Sequence, residues 1–221
     1  MSYPINYPTP QNANVQIFYG SETAYINTAR TWVKPQGASF VWFTLIGSGQ
    51  SGNGSVGGGS GAVTNFMCPA FLIPDSLRVT VPNWTAGIAT QIIYQQKEDT
   101  GYQLLFANPA NGTNGGAAMT ANFFTAMGFF QSVAGDNGSA ANVPAASATF
   151  LSGGGGPGSP QVSNYGYTTN SGSATNSNGF FQMQPIMVGA GGMGDRRGGI
   201  GCGGGRDSGA GGNGLAVIIT W

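Results

Sequence analysis

The chain contains no histidine, and that absence decides more of its chemistry than any residue present. Without imidazole there is no Ser-His-Asp or Cys-His nucleophile, no histidine-ligated zinc, and no side chain that ordinarily titrates near neutrality. The two cysteines, Cys68 and Cys202, are too few for a four-thiolate metal site. Residues 1–10 lack the basic and apolar blocks of a secretion signal, so both thiols are expected to be reduced, with a Cys68–Cys202 disulfide as the alternative. The seven acidic residues are scattered, and Glu98 and Asp99 sit beside Lys97, so no carboxylate pair stands out for glycoside hydrolysis.

Two glycine motifs invite a functional interpretation. Gly47, Gly49 and Gly52 have the spacing of a dinucleotide-binding loop directly after an apolar run. That loop must open a helix whose N-terminus faces pyrophosphate, and Asn53-Gly54-Ser55-Val56-Gly57-Gly58-Gly59 starts none. Arg197-Gly198-Gly199, beside Arg196, is one copy of a triplet that binds RNA in repeats. Asp195 and Asp207 offset Arg196 and Arg206, so local ion pairs or loop anchoring are the expected roles. Tyr165, Tyr167, Phe180 and Phe181 flank an Asn, Ser and Gly tract at 163–179. Aromatics among small polar residues suit sugar or protein recognition, which stays open for the two Tyr; the two Phe are expected to pack in the core. The residues thus predict a non-enzymatic protein, with no catalytic residues, no cofactor and no metal site.

The elements that must carry these residues follow from composition and pattern. Of 221 residues, 40 are Gly and only 6% are charged, seven basic against seven acidic, where an ordinary soluble domain has ~25%. No apolar stretch approaches the ~20 residues of a membrane-spanning helix, which excludes membrane insertion by that route. The balanced charge offers no field for nucleic acid. Hydrophobic residues at 40% and aromatics at 11% are what disordered chains lack, so a core is expected.

Residues 1–14 carry Pro4, Pro8 and Pro10, with Tyr3, Ile5 and Tyr7 at alternate positions, and predict an extended arm, either frayed or docked on a neighbouring subunit. With a first strand at 15–19, the arm makes up residues 1–27, and 28–221 form a single glycine-rich β domain. Residues 40–46 are apolar on both faces, as in a strand at the centre of a sandwich. Residues 77–81 alternate with period two, the mark of a half-buried strand, and further strands are expected at 62–67, 91–94, 102–107, 180–188 and 215–221. Met119, Phe123, Met127 and Phe130 predict a short helix over 117–130, against a Phe-rich strand pair. The expected class is all-β, an antiparallel sandwich or jelly roll.

Glycine supplies eight of the 15 residues at 47–61 and 14 of the 26 at 189–214. Such tracts are either flexible loops or places where only Gly fits. The strongly apolar strand that follows the second tract must return to the core, which favours order. Chains without side chains can bundle laterally as extended threefold helices of the polyproline II type, a polyglycine II-like arrangement.

The order of residues also carries a resemblance. Thr31-Trp32-Val33-Lys34-Pro35-Gln36-Gly37, an apolar strand ending Ile46-Gly47, a Gly-rich loop and Ile73-Pro74-Asp75-Ser76-Leu77 resemble the glycine-rich domain of bacteriophage virion and tail proteins. Gly201-Cys202-Gly203-Gly204-Gly205 and the closing 209–221 resemble the end of phage glycine-rich structural proteins. The resemblance spans about 31–77 and 152–221, matches 80–150 loosely, and brings no catalytic residues.

It implies a virion component assembled in the host cytoplasm: a tail fibre, a host-binding tip or a capsid decoration. The chain lacks a long repetitive shaft, which fits a compact knob better than a full-length fibre. The expectation is a homo-oligomeric, trimeric capsid decoration or cement protein. Its partners would be other virion proteins such as the major capsid protein, and a host surface glycan or protein. A tail-fibre tip receptor-binding adhesin is the alternative.

Overall fold

The computed structural model describes residues 13–20, 29–54, 56–95, 101–138, 195 and 197–221. The arm at 1–12, the charged turn at 97–100, the aromatics Tyr165, Tyr167, Phe180 and Phe181, and the strand expected at 180–188 lie outside the described residues.

The strands are β1 (Asn14–Tyr19), β2 (Ala29–Val33), β3 (Phe40–Ile46), β4 (Val63–Pro69), β5 (Ser76–Thr80), β6 (Thr90–Tyr94), β7 (Tyr102–Ala107), β8 (Phe129–Val133) and β9 (Leu215–Thr220). They form two antiparallel sheets, one of five strands in the order β1-β9-β3-β4-β8 and one of four in the order β2-β5-β6-β7. The described helical structure is two 3-10 turns, Ala70–Leu72 and Thr125–Met127.

Side-chain alternation joins the sheets. Val41, Phe43 and Leu45 of β3, Phe66 and Cys68 of β4 and Ile218 of β9 share one buried cluster with Trp32, Leu77, Val79, Ile92 and Leu105 of the four-stranded sheet. Phe43 is its aromatic hinge, edge-on to Trp32 at 6.0 Å and stacked on Phe66 at 6.5 Å. Each large apolar side chain fully withdrawn from water stabilises the fold by about 1.5–3 kcal/mol.

The opposite face of the five-stranded sheet is also apolar. Ile46, Val63, Leu215, Val217 and Ile219 form a second buried cluster, with Ile17, Trp42, Ile200 and Trp221 packed against it. Burial on both faces is why β3 and β9 read as continuous apolar runs. In β5, by contrast, Ser76 and Arg78 are exposed while Leu77 and Val79 are buried.

One expectation is corrected: 117–130 is not a helix. Residues 115–122 have no regular structure, Thr125–Met127 is one 3-10 turn, and Phe129–Val133 is strand β8 paired with β4. The apparent helical stripe would have buried Phe123, which is 86% exposed, whereas Phe124 is buried against Phe66 with ring centroids 4.8 Å apart. Met119 instead bridges the edges of the two sheets. Its backbone N–H donates to Ser132 Oγ of β8 at 2.8 Å, and its sulfur accepts from Phe106 N of β7 at 3.4 Å. Strand β2 carried little sequence signal, because Trp32 is its one buried residue.

Candidate functional site

Antiparallel pairing sends the ends of the strands to two poles. Phe43, Leu45 and Ile46 run towards the pole where β4 and β9 begin, as the pairs Ile46–Val63 and Ile46–Leu215 show. Strands β1 and β8 end there, at Tyr19 opposite Leu215 and Val133 opposite Val63. The second sheet points the same way, since Thr90 Oγ1 at the start of β6 donates to the Ile46 carbonyl at 2.7 Å. The described glycine-rich connections, 47–54 with 56–62, 108–116, 134–138 and 197–214, therefore gather at one end of the molecule.

They are held there by backbone hydrogen bonds. Gly49 N donates to Gly212 O at 2.9 Å, Gly58 N to Gly204 O at 2.8 Å, Gly204 N to Gln50 O at 2.9 Å, and Gly61 N to Gly201 O at 2.8 Å. On the other side of 47–61, Gly59 N donates to Gly112 O at 3.0 Å and Ser60 N to Asp136 O at 2.9 Å, and Gly135 N reaches Gly116 O at 2.8 Å. The described residues of this connection thus lie between 201–212 on one side and the 112–116 and 135–136 backbone on the other.

Gly57–Gly59, Gly61 and Gly201–Gly205 are buried, which such polar backbone tolerates because its N–H and C=O groups find partners within the layer. A Cβ at Gly58 or Gly204 would lie under 3.0 Å from a backbone carbonyl, a separation real Cβ atoms essentially never show. The glycines of the dinucleotide-like spacing belong to this layer, and among the described residues no helix follows them.

Side chains enter the layer at few points. Ser60 Oγ accepts from Asp136 N at 2.7 Å. Burial pushes the Asp136 carboxyl up from 3.8 to about 7. Both cysteines are buried thiols outside any disulfide. Burial raises the Cys68 thiol to about 11, and Cys202 Sγ donates to Ile200 O at 3.3 Å, so neither has the character of an exposed thiolate nucleophile. Among the described residues no three His, Cys, Asp or Glu side chains group as metal ligands, and no helix is long and apolar enough to cross a membrane.

A groove of about 310 Å³ opens beside the layer, lined by Tyr19, Gly20, 197–200 and 212–214. Asn213 ties its walls together. Its Nδ2 donates to Gly20 O at 3.1 Å, and its Oδ1 accepts from Trp84 N at 3.2 Å and from an Arg197 terminal nitrogen at 2.8 Å. Arg197 Nε donates to Gly211 O at 3.1 Å, so this arginine anchors the loop, as expected of the Arg-Gly-Gly triplet. Arg206 and Asp207 form the local ion pair, at 3.3 Å. Tyr19 and Asn213 were not legible as site residues, because one ends a short strand and the other stands alone among glycines.

The opposite pole is aromatic. Phe40 and Trp221 stack with centroids 5.8 Å apart, and Phe71 and Phe129 are exposed, as is Phe123 in the turn before β8. Lys34 joins the loops here, pairing with Asp75 at 2.9 Å and donating to Ile73 O at 2.8 Å.

No protein-family model and no curated protein sequence matches the chain.

Proposed function

We propose that the protein is a non-enzymatic structural component of a phage virion, a homo-oligomeric decoration or cement protein of the capsid, assembled as a trimer. The observation that carries this reading is the separation of the two poles. Exposed aromatics at one end are material for attachment to a capsid or to further copies, while the glycine tracts at the other form a hydrogen-bonded layer suited to display. In its finer form the reading takes the fold as a sandwich whose glycine segments pack in the polyglycine II manner, with ~3 residues per turn and lateral amide bonds. Such packing needs almost no charge, in keeping with 6% charged residues.

A tail-fibre tip adhesin is the second reading, favoured by the groove at Tyr19 and Asn213, which sits on the glycine pole. Immunogold electron microscopy of purified particles separates the two. Gold spread over the head is the expected result. Gold confined to tail extremities would replace the decoration role by the adhesin role, and antigen-free particles would end both.

A further inference from the structure

We infer that the groove at the glycine pole is a carbohydrate-binding site for neutral hexose-containing glycans, with Tyr19 as its stacking platform and Asn213 as its polar contact. The inference rests on the reading of the glycine pole as the outward, displayed end.

Three observations carry it. The groove's volume, about 310 Å³, is that of a small-ligand cleft, and its lining is largely glycine, which lets a sugar ring approach the backbone closely. Tyr19 is 42% exposed at its rim, although it ends a strand whose neighbour Phe18 is buried. A half-exposed tyrosine presents an apolar ring face with a polar tip, matching the alternation of C–H faces and hydroxyls on a sugar.

Asn213 is fixed by its bonds to Gly20, Trp84 and Arg197, which fill its Oδ1 and use one N–H, so the second Nδ2 N–H is the group it can offer to a sugar hydroxyl. Charge selects the class. Arg197, the charged side chain in the lining, has two of its guanidinium nitrogens committed to Gly211 O and Asn213 Oδ1, so it anchors the loop rather than offering an open fork to an acidic sugar, which favours a neutral one.

The test is an array of neutral oligosaccharides of glucose, galactose, mannose and N-acetylglucosamine, beside sialylated and uronic-acid oligosaccharides, probed with the purified full chain. Titration calorimetry of the strongest binder would follow. Neutral glycans should bind, Tyr19→Ala should weaken binding at least ~10-fold, and Tyr19→Phe should stay within ~3-fold, because the ring face rather than the hydroxyl does the stacking. Unchanged thermal melting of both variants would separate a lost contact from a lost fold.

Binding confined to acidic glycans, no binding to any glycan, or equal binding by Tyr19→Ala would overturn the inference. Its failure is distinguishable from failure of the virion reading. A particle-borne protein that binds no glycan leaves the virion reading standing, whereas a glycan binder absent from particles leaves the groove standing.

Discussion

At the scale of single residues, the glycines divide into those that cannot change and those that can. A methyl group at Gly58 or Gly204 would meet backbone carbonyls fixed by their own hydrogen bonds, so Gly58→Ala or Gly204→Ala should cost at least about 3 kcal/mol or prevent folding. Gly54 has φ +86° but open space around it, and Gly54→Ala should cost only about 1 kcal/mol, the strain of that conformation. Urea denaturation of the three variants checks the contrast.

Asp136 gives the second residue-level prediction. Its folded-state pKa is raised, so the stability it contributes is complete below about pH 4 and is lost as pH rises through about 7. The protein should be more stable near pH 5 than near pH 8, by on the order of 2–4 kcal/mol from this group. Asp136→Asn should flatten that dependence, as melting temperatures across the range would show; an unchanged slope would place the carboxyl in water. Neither the Gly58 clash nor the Asp136 burial was legible in the sequence, since both depend on which distant backbone lies alongside.

At the scale of elements, the runs with the strongest pattern were read correctly. Residues 40–46 form β3, 102–107 form β7 and 215–220 form β9, because β-branched and aromatic runs between turn residues leave no competing way to bury themselves. The expected helix at 117–130 failed for an equally physical reason. Met119 and Phe124 are drawn to the edges of the two sheets by Ser132, Phe106 and Phe66, and Gly128 packs where a Cβ would meet the Met67 carbonyl. Leu45→Ala, at the centre of the shared core, should cost about 2–5 kcal/mol in denaturant unfolding.

The glycine layer makes its own element-level prediction. The amides of Gly49, Gly58, Ser60 and Gly204 should resist hydrogen exchange nearly as strongly as those of β3, because each is bonded within the layer. Exchange at the rate of a free loop would remove the ordered layer from the account.

At the scale of the whole molecule, two poles of opposite character sit on one core. Phe71 and Phe123, 82% and 86% exposed, lie outside that core, so Phe71→Ser and Phe123→Ser should change stability by less than about 0.5 kcal/mol. Under the proposed attachment role, the Phe71→Ser/Phe123→Ser double variant should weaken oligomerisation or particle binding, read by analytical ultracentrifugation and by co-sedimentation with particles. Retained assembly would move the attachment surface elsewhere, with β1, β2, β7 and β8, the edge strands among the described residues, as the next places to look.

What the amino-acid order determined by itself is the class and the chemistry it excludes. Apolar β-forming runs separated by Gly, Pro, Asn and Ser dictate strands, and the absence of histidine removes imidazole chemistry wherever the chain goes. The gathering of the described glycine-rich connections at one pole, and of Tyr19 and Asn213, 194 positions apart in sequence, around one groove, was decided only by tertiary structure. The reason is that strand pairing is non-local. The direction of each connection follows from the antiparallel register of β3, β4, β8 and β9, and no local pattern within a glycine tract records which other backbone will supply its hydrogen bonds.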